Sequence, residues 1–562
     1  MNSLLLDPHS ALAEEVTLGA LLRCCIRELC GSRVRTAGPY LLASIGGTRV
    51  RVPARGGIAL HFCDRAQRLA GGVWEPLTSD MLIKLVEREL AGDLDGGFNG
   101  EFAAQVAASR DAVTTLLAAR ELATPPADPW LASEQALVAG HPFHPSPKTR
   151  TGTGWERYAP EAHAHFPLRL LGVRADLVTG EGDTSALDTI AAAPPGYVPL
   201  PAHPWQLELL AADLRAPLAD GRLVDLGYGS RPVFPTSSVR TVYDPVSAVC
   251  LKFSLDVRIT NCVRKNAWYE LVGSVELTRR LGPIFDRLAE RFPGTRWLPE
   301  PGYRSADLGT RLLEGLGVIV RSGPWSGCGP GVTPVLAAAL ATSPYVLATS
   351  PYVLATSPYG MAEVRGTGVP EVVEARRRAE PITWWRAYVE RVAVPSLDAF
   401  VHHGVVLEPH LQNVLVGVSP DGLPVEAIFR DLEGAKLVEG RHDLSGLPER
   451  VAEAMTYAPD HGWNRVAYCL MVNHLAEIAA TVAEVADQAR ERHVLSELWV
   501  AAREVLSRYA EEQGWPAPLR ALLSGATLPA KANLGVRWRR HADRAAGYVP
   551  VANPLVSIGP GH

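Results

Sequence analysis

The chain has 562 residues, too many for one simple core, so two or three packed domains are expected. Its 55 basic and 60 acidic residues leave a formal charge of −5, which offers neither the basic excess of a nucleic-acid binder nor an acidic tail. Its eight cysteines form no CxxC pair and read as reduced, mostly buried thiols, not as a disulfide or metal framework.

The first residues, "MNSLLLDPHSALAEE", lack a basic segment followed by a long apolar one, so no signal peptide and a cytoplasmic protein are expected. Up to about residue 125, "SALAEEVTLGALLRCCIREL", "TSDMLIKLVEREL" and "RDAVTTLLAARELA" repeat apolar residues at helical spacing, with Ser10 and Ser79 as candidate N-caps. Between them "PYLLASIGGTRVRVPARGGIALHF" alternates and is broken by Gly pairs, which predicts a small antiparallel sheet. From 126 to about 290, "HFPLRLLGV", "GYVPLPAH", "VFPTSSVRTVY" and "AVCLKFSLDVRIT" read as strands of a mixed sheet. Residues 322–362 carry no charge, but the repeat "ATSPYVLATSPYVLATSPY" at 341–359 puts Pro, Ser and Thr into every unit. That suits a surface loop without a part in chemistry better than a membrane span. Helix resumes in "PITWWRAYVERVAVPSLDAFVHHG" and "NRVAYCLMVNHLAEIAATVAEVADQARER", and between them "SPDG" joins two alternating runs as a hairpin.

A hairpin brings its outer ends together. Asn413 precedes one strand and Asp431 follows the other, with Glu408, His410, Arg430 and Glu433 close by in sequence. Asn and Asp beside a further carboxylate suit Mg²⁺ with a nucleotide; a polar hairpin rim is the plainer alternative. The pattern is similar to the metal-binding loop of phosphotransferases, but "EPHLQN" has no Asp where such an enzyme keeps its base. Ser237, Ser238, Arg240, Lys252, Arg258, Thr260, Asn261 and Arg264 alternate with apolar residues within 28 positions. Buried unpaired cations are costly, so a polyanionic ligand is expected there, against a solvated sheet face. In "GHPFHPSPKTRTG" (140–152), Pro142 and Pro145 prevent a helix and no Cys is near, so His141, His144, Lys148 and Arg150 read as a stiff anion cradle and not a metal site. His203 in "LPAHPWQ" reads as a rigid turn. There is no GxxxxGK[ST] loop, no GxGxxG after a strand and no GxSxG elbow.

Together, "GHPFHPSPKTRTG", "HPWQ", "SSVRT", "KFSLDVRITNCVRKN", "EPHLQNVLV", "RDLEG", "LPAKANLGVRW" and "NPL" resemble, in order, the motif series of the NRPS-independent siderophore synthetases, the IucA/IucC family, over roughly 130–555. The resemblance implies an α+β, hand-like fold with mixed and antiparallel sheets: a thumb at 1–125, fingers at 126–380 and a palm at 381–562. It implies a homodimer acting on small molecules: ATP with Mg²⁺, a carboxylic acid such as citrate, and an amine or alcohol. The acid would attack the α-phosphate to give an acyl-adenylate and pyrophosphate, and the nucleophile would then displace AMP. Matched motif by motif, His144, Lys148, Ser238, Arg240, Lys252, Arg264, Gln412 and Asn413 would hold the nucleotide. Glu408 and Asp431 would hold Mg²⁺, and Thr260, Asn261, Arg264, His410 and Lys531 the acid, with Arg264, His410 and Lys252 as catalytic groups. The alternatives are a small-molecule phosphotransferase, which would release ADP, and a carboxylate-binding protein without catalysis.

Overall fold

The computed structural model describes residues 7–93, 99–150, 152, 154–259, 262–341, 380–490, 494–541 and 546–556. The fold is α+β. Its N-terminal part packs helices Pro8–Cys25, Ser79–Asp93 and Gly100–Leu122 beside a six-stranded sheet in which Tyr40–Ile45 and Thr48–Arg55 pair antiparallel around Gly46 and Gly47. Both glycines have positive φ (53° and 74°), which the two-residue turn demands. The helix starts lie earlier than the serines suggest. Asp7 caps the first helix, accepting the Ser10 N–H at 3.2 Å, because Pro8 is already set for the first helical position. Thr78, not Ser79, accepts the Met81 N–H at 3.3 Å.

The central sheet has eight strands, in the order Val178–Gly182, Gly302–Ala306, Val318–Ser322, Val249–Phe253, Thr241–Asp244, Leu223–Pro235, Phe166–Arg174 and Tyr197–Ala202. Every ladder in it is antiparallel, where a mixed sheet was expected. Short turns such as 245–248 join some neighbours directly, a connection that only antiparallel pairing allows. Parallel pairing occurs elsewhere, between Thr295–Trp297 and Pro424–Phe429 and between Lys436–Val438 and Thr456–Tyr457.

The C-terminal hairpin forms as predicted, Val414–Val418 against Pro424–Phe429 with Val414 opposite Phe429. Its four-stranded sheet also takes Thr295–Trp297 and Thr333–Leu336, so chain on both sides of residue 380 builds one layer. The largest core joins this sheet to helices Pro381–Val401, Ala476–Arg490 and Val494–Glu512. The helical stretch Pro459–Ala486 is long and apolar enough to cross a membrane, but its apolar window is 94% buried inside the fold. Its middle, Tyr468–Leu475, is π-helical, a widened turn often found beside functional sites. The repeat at 341–359 lies, beyond Ala341, outside the described residues.

Candidate active site

One cavity of about 2250 Å³ runs between the three parts of the chain. A site for one small ligand occupies about 300–1,000 Å³, so the space exceeds what a single small substrate fills. His144, Lys148, Ser238, Arg240, Lys252, Glu408, His410, Gln412, Asn413, Asp431 and Lys531 all line it. Thr260 and Asn261 lie outside the described residues, and Arg264 is described by its backbone alone, in strand Cys262–Arg264 opposite Leu255–Ile259.

Two turns face each other across the cavity wall. On the central sheet, Thr236 N–H donates to Thr241 C=O and Val239 N–H to Thr236 C=O, each at 2.9 Å. This forces Val239 to φ 67°, a left-handed conformation costly for a β-branched residue, and carries Ser238 and Arg240 to the cavity. On the hairpin, Arg430 N–H donates to Asn413 C=O at 3.1 Å, which closes the outer end, and the next residue, Asp431, takes φ 70°. Strain on both sides of one site marks positions the surrounding structure over-determines.

Between the turns lies a dense charge network. Lys252 Nζ is 2.6 Å from Asp431 and 2.8 Å from Glu433. Arg240 reaches Glu433 at 2.7 Å, and Arg321 bridges Asp431 at 3.1 Å to the buried Glu300. The sheet explains the pairing. Lys252 stands opposite Ile319, and Arg321 two residues on shares its face. Burial favours neutral Lys252, but Asp431, Glu300 and Glu433 outweigh it and raise its pKa. Burial likewise works against ionised Asp431 and Glu433, yet Lys252 with Arg321 holds Asp431 well below the usual range. Lys252 with Arg240 brings Glu433 down to about 2. Lys252, Asp431 and Glu433 are therefore charged at neutral pH.

The His-Pro turns share one device. His141, His144 and His203 each accept, at Nδ1, the N–H two residues on, at 3.0, 3.2 and 3.3 Å, and His410 after Pro409 does the same at 3.2 Å. In the three His-Pro turns the intervening proline supplies no N–H and its ring holds the corner; at His410 the proline comes before and Leu411 intervenes. At His410 the accepting Nδ1 assigns the proton to Nε2, which leaves that ring a donor there. Burial lowers His141 to about 3 and also lowers His410, so both rings are neutral at physiological pH. His203 sits among Tyr158, Phe166 and Phe253 as a structural corner, as its sequence suggested.

Two sequence expectations change. Lys148 was expected on the nucleotide, but its ammonium pairs with the buried Glu161 of the short helix Pro160–Ala162, which Arg150 also approaches at 3.6 Å. Glu408 was expected to share a metal with Asp431, but its carboxylate is held by Arg465 and packs against Gly434. The carboxylate that meets Asp431 at Lys252 is Glu433. Among the described residues no three His, Cys, Asp or Glu side chains are grouped to hold a metal alone. Asp431 and Glu433 form a two-carboxylate donor set, which fits a Mg²⁺ ion that completes its shell with phosphate oxygens and water. Asn413 Nδ2 is buried and has no hydrogen-bond partner among the described residues, as a donor awaiting a ligand would be.

Residues 129–342 match the IucA / IucC family. The rhizobactin siderophore biosynthesis protein RhbC of Rhizobium meliloti (strain 1021) is 30% identical over 469 residues, covering 76% of this chain and 75% of that protein. The chain belongs to the IucA/IucC family of siderophore synthetases. Another member, the L-2,3-diaminopropanoate–citrate ligase of Staphylococcus aureus (strain NCTC 8325 / PS 47), is 30% identical over 438 residues, covering 72% of this chain and 71% of its own. The family fold is evident in the ATP-bound aerobactin synthetase IucA from a hypervirulent pathotype of Klebsiella pneumoniae, with a TM-score of 0.78 at 23% identity over 96% of this chain and 99% of that one. Residues 382–546 also match the ferric iron reductase FhuF-like transporter family.

Sequence reasoning within this family pattern missed Arg321, Glu300, Glu134 and Asn266. Arg321 carried a usable signal, a lone cation at the end of the apolar run "VIVR". Glu300, Glu134 and Asn266 carried none, because their partners lie across sheets and not along the chain.

Proposed function

We propose that the protein is an ATP-dependent ligase that adenylates a carboxylic acid, citrate or a citryl or succinyl derivative, and condenses it with an amine or alcohol in siderophore-type biosynthesis. The observation that carries this reading is the Lys252–Arg240–Arg321 cluster held by Asp431 and Glu433 in the wall of a cavity large enough for several substrates. The citrate ligase among its relatives supports the choice of acid. The ATP-bound synthetase of the same fold supports the choice of nucleotide.

The geometry supports a simple exchange of partners. Without ligand, cations and carboxylates neutralise each other, since a buried unpaired charge is costly. With ATP, the phosphate oxygens take over Arg240, Lys252 and Arg321, while Ser238, His144, Gln412 and Asn413 add donors and Arg264 completes the group. Asp431 and Glu433, released, would hold Mg²⁺, which when bound offsets the charge of the triphosphate. His410, a neutral Nε2–H donor, and Lys531 orient the acid together with Thr260, Asn261 and Arg264. One acid oxygen attacks the α-phosphorus and the bond to the β-phosphate oxygen breaks, releasing pyrophosphate. The amine or alcohol then attacks the acyl carbon, AMP leaves with the bonding pair, and the nucleophile loses its proton. Fixed cations around the phosphates act where charge moves, the arrangement by which enzymes stabilise such transition states.

The test is release of AMP and pyrophosphate from ATP–Mg²⁺ across a panel of carboxylic acids, with hydroxylamine as surrogate nucleophile. Acid-dependent AMP, pyrophosphate and hydroxamate are expected. ADP in their place would overturn the reading in favour of phosphoryl transfer.

A further inference from the structure

We infer that Glu134 is a positioning residue for nucleotide activation, the keystone of a closed hydrogen-bonded ring that sets the turn at 236–241 against the outer end of the hairpin. The inference rests on the adenylation reading above. Glu134 ends helix Pro129–Glu134, is 0% exposed and does not line the cavity, so it touches no substrate. Its Oε2 accepts Ser237 Oγ–H at 2.8 Å, Ser237 N–H at 3.2 Å and Arg430 Nη2 at 3.1 Å. Its Oε1 accepts Trp130 Nε1–H at 3.1 Å and Arg430 Nη1. The ring closes through Gln412, whose Nε2 donates to Ser237 Oγ at 3.2 Å and whose C=O accepts Arg430 Nε at 3.0 Å and Nη2 at 2.8 Å.

The ring's other three members adjoin residues of the site, and Gln412 is itself one of them. Ser237 precedes Ser238 and, three on, Arg240; Gln412 precedes Asn413; Arg430 precedes Asp431. The helix carrying Glu134 is itself fixed to the hairpin's sheet, where Leu336 N–H donates to Ser133 Oγ at 2.9 Å. Ser237 belongs to the other sheet. The ring is therefore a strut between the layer that presents Arg240 and Lys252 and the layer that presents Asn413, Asp431 and Glu433. It also braces the strained Val239, two residues beyond Ser237. Partner exchange between cations and carboxylates depends on that spacing, and a displacement of 1 Å at such a site costs about 100-fold in rate.

The experiment uses the full chain with Glu134→Gln, Ser237→Ala and the double variant. It reads kcat and KM for acid-dependent pyrophosphate exchange, and the ATP Kd by calorimetry. Glu134→Gln keeps the shape but turns an NH₂ toward Arg430 or Ser237. It should lower kcat/KM for ATP about 10- to 100-fold while KM for the acid stays within about twofold. Ser237→Ala opens the same ring and should lose about tenfold, and the double variant should be no worse than Glu134→Gln within about threefold, because one ring is broken only once. Losses that multiply, or Ser237→Ala at the wild-type rate, would overturn the inference; Ser237→Ala decides alone should Glu134→Gln not fold. If the wild type shows no acid-dependent exchange, the adenylation reading is what has failed. The ATP Kd still judges the ring, with an increase of about tenfold or more expected in both single variants and an unchanged value overturning it.

Discussion

Two buried charge clusters flank the cavity, and they are built differently. In the His-Pro loop, Lys148 and Arg150 meet Glu161, whose side chain is only 2% exposed. At the seam, Lys252, Arg240 and Arg321 meet Asp431 and Glu433, whose side chains are 34% and 28% exposed. The cations at the seam are as buried as those of the loop; it is their carboxylates that differ. Glu161 is sealed in and serves as a permanent counter-ion. Asp431 and Glu433 stand at the cavity surface, where a ligand can take their place. Accessibility of the anion, not density of cations, separates a brace from a binding site.

Substitutions on each side sharpen this contrast. Lys252→Ala removes a cation from the place where phosphate charge develops. It should lower acid-dependent pyrophosphate exchange about 100- to 1000-fold, measured against unchanged secondary structure. Lys148→Met should do the reverse. Leaving Glu161 buried without its ammonium costs about 3 kcal/mol in denaturant unfolding, while KM for ATP stays within about twofold. A large rise in KM there would return Lys148 to the nucleotide and break the contrast.

A third cluster gives the smallest effect and a pH signature. His61, on the N-terminal sheet, lies 3.2 Å from Glu477 and 3.4 Å from Glu484 of helix Ala476–Arg490, with Arg23 near both. Burial lowers its pKa, but the two glutamates outweigh it and raise the group to about 8. The folded state therefore holds this proton more tightly than the unfolded chain. The stabilisation is full below about pH 6.5 and is lost as pH rises through about 8. The shift from 6.5 to about 8 corresponds to about 2 kcal/mol. A plot of stability against pH should fall across this window in the wild type and flatten in His61→Gln. A wild type with no slope there would show that the His61 cluster adds no stability.

Much of the site was legible because its devices are local. The hairpin that joins Asn413 to Asp431 follows from alternation around "SPDG", and the His-Pro corners need only a histidine, a proline and the next amide. Placement of Lys252 in the cavity wall followed from an alternating strand, whereas Arg240 reaches it from the turn at 236–240. The exchange of Glu408 for Glu433 was not legible, because both lie near the hairpin end and only the position of Arg465, 57 residues beyond Glu408, decides which carboxylate is free to face Lys252. The pairing of Lys148 was hidden for the same reason, since nothing near it in sequence announces that Glu161 is sealed beneath it.

The amino-acid sequence by itself determined the strands, helices and tight turns, the family, and the catalogue of cations and carboxylates from which the site is drawn. The tertiary structure alone decided their partners. Glu134 meets Arg430 across 296 residues and Lys252 meets Asp431 across 179. A turn is selected by backbone sterics within a few residues, whereas a buried ion pair depends on which faces of which sheets are packed together, and that is settled only when the whole core closes.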